Sequence, residues 1–189
     1  MAKTRSAKSR TLEPGIPDSH YTLIGELMVE WSRLETVLST LIWHFLNLDM
    51  EDGRTITATL DARPKVRMLR KLVKRHVKPK KNRDLILNLL EVAEGLQEDR
   101  NFIAHGIWST ATPDNVPAAS SLRPKSHPFH VVTEAFTAER MREIIKLTCD
   151  VTDALYDAPG ALAASQKKHD ARLLQLKTSQ KRSPKDHSP

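Results

Sequence analysis

The sequence has almost no cysteine, no long apolar run and no recognisable metal-ligand spacing, and each shortage removes a class of protein. One cysteine, Cys149, stands among 189 residues. No internal disulfide can form, which agrees with a reducing compartment. No window approaches eighteen consecutive apolar residues, so no membrane-spanning helix is expected. The opening MAKTRSAKSR is basic and leads into TLEPGIPDSH without an apolar stretch, unlike a secretory signal peptide. No Cys/His spacing resembles a zinc site, and neither a metal nor a cofactor is expected. There is no internal repeat. The expectation is a soluble, cytoplasmic protein without membrane association.

What remains is a chain with 39% hydrophobic and 28% charged residues, enough for one globular domain plus tails. The formal charge is +7, and its placement says more than its total. Between Asp61 and Asp84 lie eleven basic residues, including Arg63, Lys65, Arg67, Arg70, Lys71, Lys74, Arg75 and Lys78, against those two acids alone. Such a cluster suits a polyanion such as RNA. A solvated helix face with solubilising tails accounts for it equally well.

Residues 1–17 hold Pro14, Gly15 and Pro17 without periodicity and read as a flexible basic arm. From an N-cap at Asp18 or Ser19 an amphipathic helix is predicted to about Leu48. Its inward positions are Ile24, Leu27, Met28, Trp31, Leu34, Leu38, Leu41, Ile42 and Phe45, spaced by threes and fours. Asp52-Gly53 reads as a turn. A second helix is predicted over 62–77, with Val66, Leu69, Val73 and His76 or Val77 inward and Lys and Arg outward. Lys78-Pro79-Lys80-Lys81 breaks the chain. A third helix over about 82–105 carries Ile86, Leu89, Ala93, Leu96 and Ile103 as its stripe and Gly106 as its stop.

Residues 107–136 include Pro113, Pro117, Pro124 and Pro128. They read as an irregular insert or a short hairpin of Gly106–Ala111 with Phe129–Thr133. Thr137 caps a last helix from Ala138 to about Tyr156, with Met141, Ile144, Ile145, Thr148, Val151 and Leu155 inward and Pro159-Gly160 as its end. Residues 158–189 read as a basic, mostly disordered tail, although 161–176 has a transient helical tendency. The expected fold is all-α: a four-helix up-and-down bundle over 18–157, with the insert before its last helix.

Two charged residues fall on apolar stripes. Glu35 follows Trp31 by four and precedes Leu38 by three; Arg100 follows Leu96 by four and precedes Ile103 by three. A buried unpaired charge costs several kcal/mol, so each calls for a partner or a wet cavity. The economical expectation is that Glu35 holds Arg100 across a helix contact, and a structural ion pair or two snorkelling side chains is the plainer one. Asn101 and His105 lie one helical turn apart, so the amide can fix the imidazole tautomer. A histidine beside a fixed arginine suits phosphodiester chemistry, one moving protons and the other neutralising charge on phosphorus. His-Gly is also an ordinary helix end. His44 reads as off the main stripe or at its edge, and His76 as cover for the second helix. His127 and His130 pair with no Ser or Cys nucleophile, and Cys149 reads as a core residue. Trp31 reads as core, and Trp108 is the best candidate of the three tryptophans for base stacking.

The segment Arg100-Asn101-Phe102-Ile103-Ala104-His105-Gly106 resembles the Arg-x4–6-His signature of the HEPN superfamily, in the form with a polar Asn directly after the arginine. The resemblance implies a small helical bundle, and for many members a metal-independent ribonuclease of toxin–antitoxin or phage-defence systems. It implies a homodimer with the motif helices facing across a shared cleft, and a possible cognate antitoxin. Carried onto this chain, Arg100 binds the scissile phosphate, His105 acts as general acid or base, and Asn101 orients them. The alternative within the same resemblance is a non-catalytic module that binds nucleotide, RNA or protein.

Overall fold

The three-and-four spacing of apolar residues from Leu23 to Ile42 builds the central helix, α1 (Asp18–Leu46), whose Leu27, Leu34, Leu38 and Ile42 are completely buried. The structure is a computed structural model. It describes residues 15–110, 116–123 and 130–181, with the backbone alone at 122–123, 130 and 161–181. The expected arm up to residue 14 and the last residues of the tail lie outside the described residues, as does His127. Pro17 occupies the N-cap of α1, which has no side-chain cap. At its other end Asn47 takes a left-handed conformation (φ 54°), which the short amide side chain of Asn tolerates better than most residues.

Where Asp52-Gly53 reads as a turn, the chain instead forms a short helix, α2 (Met50–Thr57). The Asp49 carboxylate accepts the Asp52 N–H at 2.9 Å and satisfies one of its free donors. Gly53 is there for space: a Cβ would stand 2.5 Å from the Trp43 ring. The glycine signal marks a close helix approach, not a reversal of the chain.

Helices α3 (Ala62–His76) and α4 (Lys80–His105) follow the predicted spans closely. α3 buries Val66, Leu69 and Val73, while α4 buries Ile86, Leu90, Ala93, Leu96, Phe102 and Ile103. Lys65 is buried with the core face of α3, not on its basic side. The last helix, α5 (Ala138–Lys181), buries the expected Met141, Ile144, Ile145, Thr148, Val151 and Leu155. It runs through Pro159 and Gly160, where the sequence suggested an end, and on into the segment expected to be mostly disordered. Proline removes one ladder N–H, but the Ala-, Leu-, Lys- and Gln-rich residues beyond it favour helix.

α1 packs on α3, α4 and α5, and α4 packs on α3 and α5. Before α5 lie three strands, β1 (Ile107–Ser109), β2 (Ala118–Arg123) and β3 (His130–Ala135), antiparallel in that order. The expected two-stranded hairpin is therefore corrected: β2 separates its two halves, with Trp108, Ala119 and Glu134 in register. β2 is unreadable from propensity because Ala-Ala-Ser-Ser is poor strand sequence. Its small residues answer packing instead, since Ala118 and Ala119 are fully buried. The same closeness explains Gly106. Its φ of −71° is not left-handed, but a Cβ there would meet the Phe102 carbonyl at 2.5 Å and Ala119 at 2.8 Å.

The junction of sheet and helices is aromatic. Trp108 packs against Phe136 with ring centres 5.8 Å apart and donates its indole N–H to the Ile103 carbonyl at 2.9 Å. It belongs to the core and is not the free stacking platform the sequence suggested. His20, buried in α1, donates from Nε2 to the Phe136 carbonyl at 3.0 Å. Among the described residues no helix is long and apolar enough to cross a membrane.

Candidate active site

α4 turns Phe102 and Ile103 into the core, which leaves Gln97, Asn101 and His105, each one turn apart, on a different face. That face closes one side of a cleft of about 710 Å³. α1 supplies Trp31 and Glu35, the start of α3 supplies Asp61 and Arg63, and β2 supplies Ser121. Gln97, Glu98, Arg100, Asn101, Phe102 and His105 complete the wall. A volume of this size accommodates a ligand of nucleotide scale.

Within it Arg100 is the hub. Its Nη1 donates to the Asn101 Oδ1 at 3.0 Å and lies 3.5 Å from His105 Nε2. A guanidinium can only donate, so in this contact Nε2 stands as the acceptor. At 3.5 Å this contact is weak, and His105 and Asn101 are exposed. Nε2 therefore lies at the mouth of the cleft, beside a fixed positive charge.

Glu35 reaches Arg100 only through a third residue. Its Oε1 accepts the Trp31 indole N–H at 3.0 Å, and the Arg100 guanidinium stands over that indole, 5.6 Å from the ring centroid. Among the described residues no ion pair joins Glu35 to Arg100. The direct contact expected from the helical wheel is replaced by this relay because the Trp31 ring, one turn before Glu35, fills the space between α1 and α4. Three side-chain atoms around the cleft, Arg63 Nε, Gln97 Oε1 and Arg100 Nε, are buried without a hydrogen-bond partner. Two further such atoms among the described residues, His20 Nδ1 and Arg70 Nε, belong to residues that do not line the cleft.

The basic residues predicted on α3 divide into two groups. Arg63 lines the cleft 3.9 Å from Glu98, and Arg70 pairs with Glu94 at 2.8 Å, so both lean onto α4. Arg67, Lys71, Lys74, Arg75 and Lys78 are exposed and form no ion pair among the described residues. The structure thus brings Arg100, Asn101, His105, Glu35 and Arg63 to one cleft and leaves the other basic residues outside it. Sequence reasoning missed Gln97, Glu98, Asp61 and Ser121. Gln97 was legible, four residues before Asn101 on the same face; Ser121 lies on the unforeseen strand. Trp31 was read as core alone and is also the cleft wall.

Among the described residues no group of three or more His, Cys, Asp or Glu side chains is placed to hold a metal ion. Arg63 and Arg100 share the lining with Glu35, Asp61 and Glu98, so the carboxylates outnumber the guanidiniums there and these groups give no positive surplus. No family model matches the sequence, and no curated protein or solved structure matches it.

Proposed function

We propose that this protein is an endoribonuclease of HEPN type that cleaves RNA without a metal ion, acting as a toxin or phage-defence effector in the cytoplasm. The observation that carries the reading is the convergence of Arg100, Asn101 and His105 at one cleft, with His105 Nε2 3.5 Å from the guanidinium. In the proposed reaction the RNA 2′-hydroxyl gives its proton to Nε2 as its oxygen attacks phosphorus. The 5′-oxygen leaves and takes up a proton, giving a 2′,3′-cyclic phosphate and a 5′-hydroxyl. Arg100, anchored by Asn101, neutralises the charge that builds on the phosphoryl oxygens. The exposed face of α3 draws in the polyanion.

The closed circuit of contacts α1–α3–α4–α5 supports a four-helix up-and-down bundle carrying the sheet as an insert. The family resemblance adds a homodimer with α4 facing α4, and a cognate antitoxin as partner. Purified protein is expected to cut RNA in the presence of EDTA and to spare DNA, which lacks the 2′-hydroxyl. His105→Ala is expected to lower the rate by about 10²–10⁴-fold with folding unchanged. Undiminished cleavage by a folded His105→Ala protein would sink the mechanism. The absence of a positive surplus in the cleft favours one second reading, a non-catalytic HEPN-like module binding nucleotide, RNA or protein. Binding without turnover on any RNA would establish that reading instead.

A further inference from the structure

A cleft holding two guanidiniums and three carboxylates has little with which to attract a phosphate on its own. Positive charge without internal partners begins one helical turn away. Arg67, Lys71, Lys74 and Arg75 are all exposed, as is Lys78 just beyond the helix end, and at 100° per residue the four helical ones fall within about 100° of the α3 wheel. Arg63 marks where this row meets the cleft, and the row leads away from it. From Arg67 to Arg75 it spans about 12 Å at 1.5 Å per residue. Arg63 and Arg70 are not part of it, because Glu98 and Glu94 already engage them.

We infer that the substrate is single-stranded RNA bound in two parts, one nucleotide in the cleft and the adjoining strand laid along α3. This rests on the reading of the cleft as a ribonuclease site. At about 3.4 Å per phosphate of a stacked strand, the row matches about four consecutive phosphates on one side of the scissile bond. The strand must be unpaired for a physical reason. Arg100 is half-buried in the wall of the recess, and a phosphate reaches it only if its nucleotide leaves the stack and enters. A duplex pays unpairing energy of a few kcal/mol for that step, and a single strand does not. The row supplies the attraction that the cleft lacks, so binding energy gathered on α3 holds a nucleotide the site would not retain alone.

The test measures kcat/KM of the full-length protein on single-stranded oligoribonucleotides from two to about twelve nucleotides. The expected curve rises steeply and levels once about four phosphates flank the scissile bond, by the spacing above. A variant combining Arg67→Gln, Lys71→Gln and Lys74→Gln, with thermal unfolding checked, is expected to collapse the ratio between long and two-nucleotide substrates toward unity. A flat length series, an equal loss on every length, or a preference for duplex over single strand of the same sequence would overturn the inference. Binding of a fluorescent single-stranded RNA by the His105→Ala protein provides an arm independent of turnover. The slope of log K against log salt is expected to weaken by about two in the triple variant, at about 0.7 per phosphate lost. An unchanged slope overturns the inference whether or not RNA is cut. Failure to cut any RNA, with the slope behaving as expected, counts against the catalytic reading alone.

Discussion

The Arg100 guanidinium lies over the Trp31 indole, 5.6 Å from its centroid. Such contacts contribute about 0.5–1 kcal/mol when exposed and about 2 kcal/mol when desolvated; with Trp31 only 2% exposed, the upper part of the range applies. The indole is itself held by the Glu35 carboxylate at 3.0 Å. Under the proposed ribonuclease reading, Glu35 is therefore a positioning residue that acts on Arg100 through a ring. Glu35→Ala is expected to lower kcat for RNA about 5–10-fold, equivalent to about 1–1.4 kcal/mol, with little change in KM. Glu35→Gln keeps an oxygen acceptor for the indole N–H and is expected to restore most of the loss. Equal kcat values for the two variants would mean that the hydrogen bond plays no part.

Glycine positions give a test of the fold that is independent of function. Gly53→Ala drives a methyl to 2.5 Å from the Trp43 ring, and the ring is held by an indole hydrogen bond to Thr57 at 3.0 Å. Overpacking of this kind costs about 1–3 kcal/mol, which lowers Tm by about 2–4 °C per kcal/mol for a chain of this size. Gly25 and Gly95 have open space where a Cβ would stand and lie inside α1 and α4. Gly25→Ala and Gly95→Ala are expected to stabilise by about 0.5–1 kcal/mol each, because alanine loses less backbone freedom on folding. Urea titration of the three variants distinguishes the signs directly.

These glycines also show where the sequence was readable. Long apolar stripes announced α1, α3, α4 and the first part of α5, since burial on one side of a helix leaves its mark every three or four residues. Gly53 was recognised as special but misassigned as a turn, while Gly106 does stop α4 as expected, without a left-handed conformation. Their reason is the closeness of Trp43 and Ala119, which lie ten and thirteen residues away in sequence. β2 escaped for a related reason, its alanines being chosen for a tight fit and not for strand propensity. At the site, neighbours on one helix were legible: Arg100, Asn101 and His105 share two turns of α4. The Trp31 relay was not, because it depends on which side of α1 meets α4.

Arg140 ties three elements together. Its Nη2 lies 2.9 Å from Asp99 of α4 and 3.0 Å from Glu134 of β3, its Nη1 donates to the Ala135 carbonyl at 2.8 Å, and its guanidinium covers the Phe136 ring at 4.3 Å. The side chain is 40% exposed, so solvent screens the ion pairs and they add little individually. The ring contact and the carbonyl bond are less screened. Arg140→Met is expected to cost about 1–3 kcal/mol and to raise hydrogen exchange at the Phe136 amide, which donates to the Pro117 carbonyl at 2.8 Å. Arg140→Lys, with a single ammonium in place of the fork, is expected to recover only part of the loss. Full recovery by lysine would show that charge alone holds the junction.

Cys149 offers a pH test of the packing between α1 and α5. Burial, with a smaller contribution from Glu30, pushes its thiol from the ordinary 9.0 up to about 11. The thiolate is the reactive form, so alkylation by iodoacetamide near pH 8 is expected to be slower in the folded protein than in urea. The rate in the folded state should still be climbing as pH approaches 11. The same shift has a stability consequence. Below about pH 9 the thiol is protonated in both states and adds no pH dependence. Between about pH 9 and 11 the unfolded chain loses its proton first, which favours unfolding. Stability should therefore fall through that window, and Cys149→Ala should remove that part of the fall. Folded-state alkylation as fast as in urea, with a midpoint near 9, would place Cys149 in open water and contradict the helix packing that shields it.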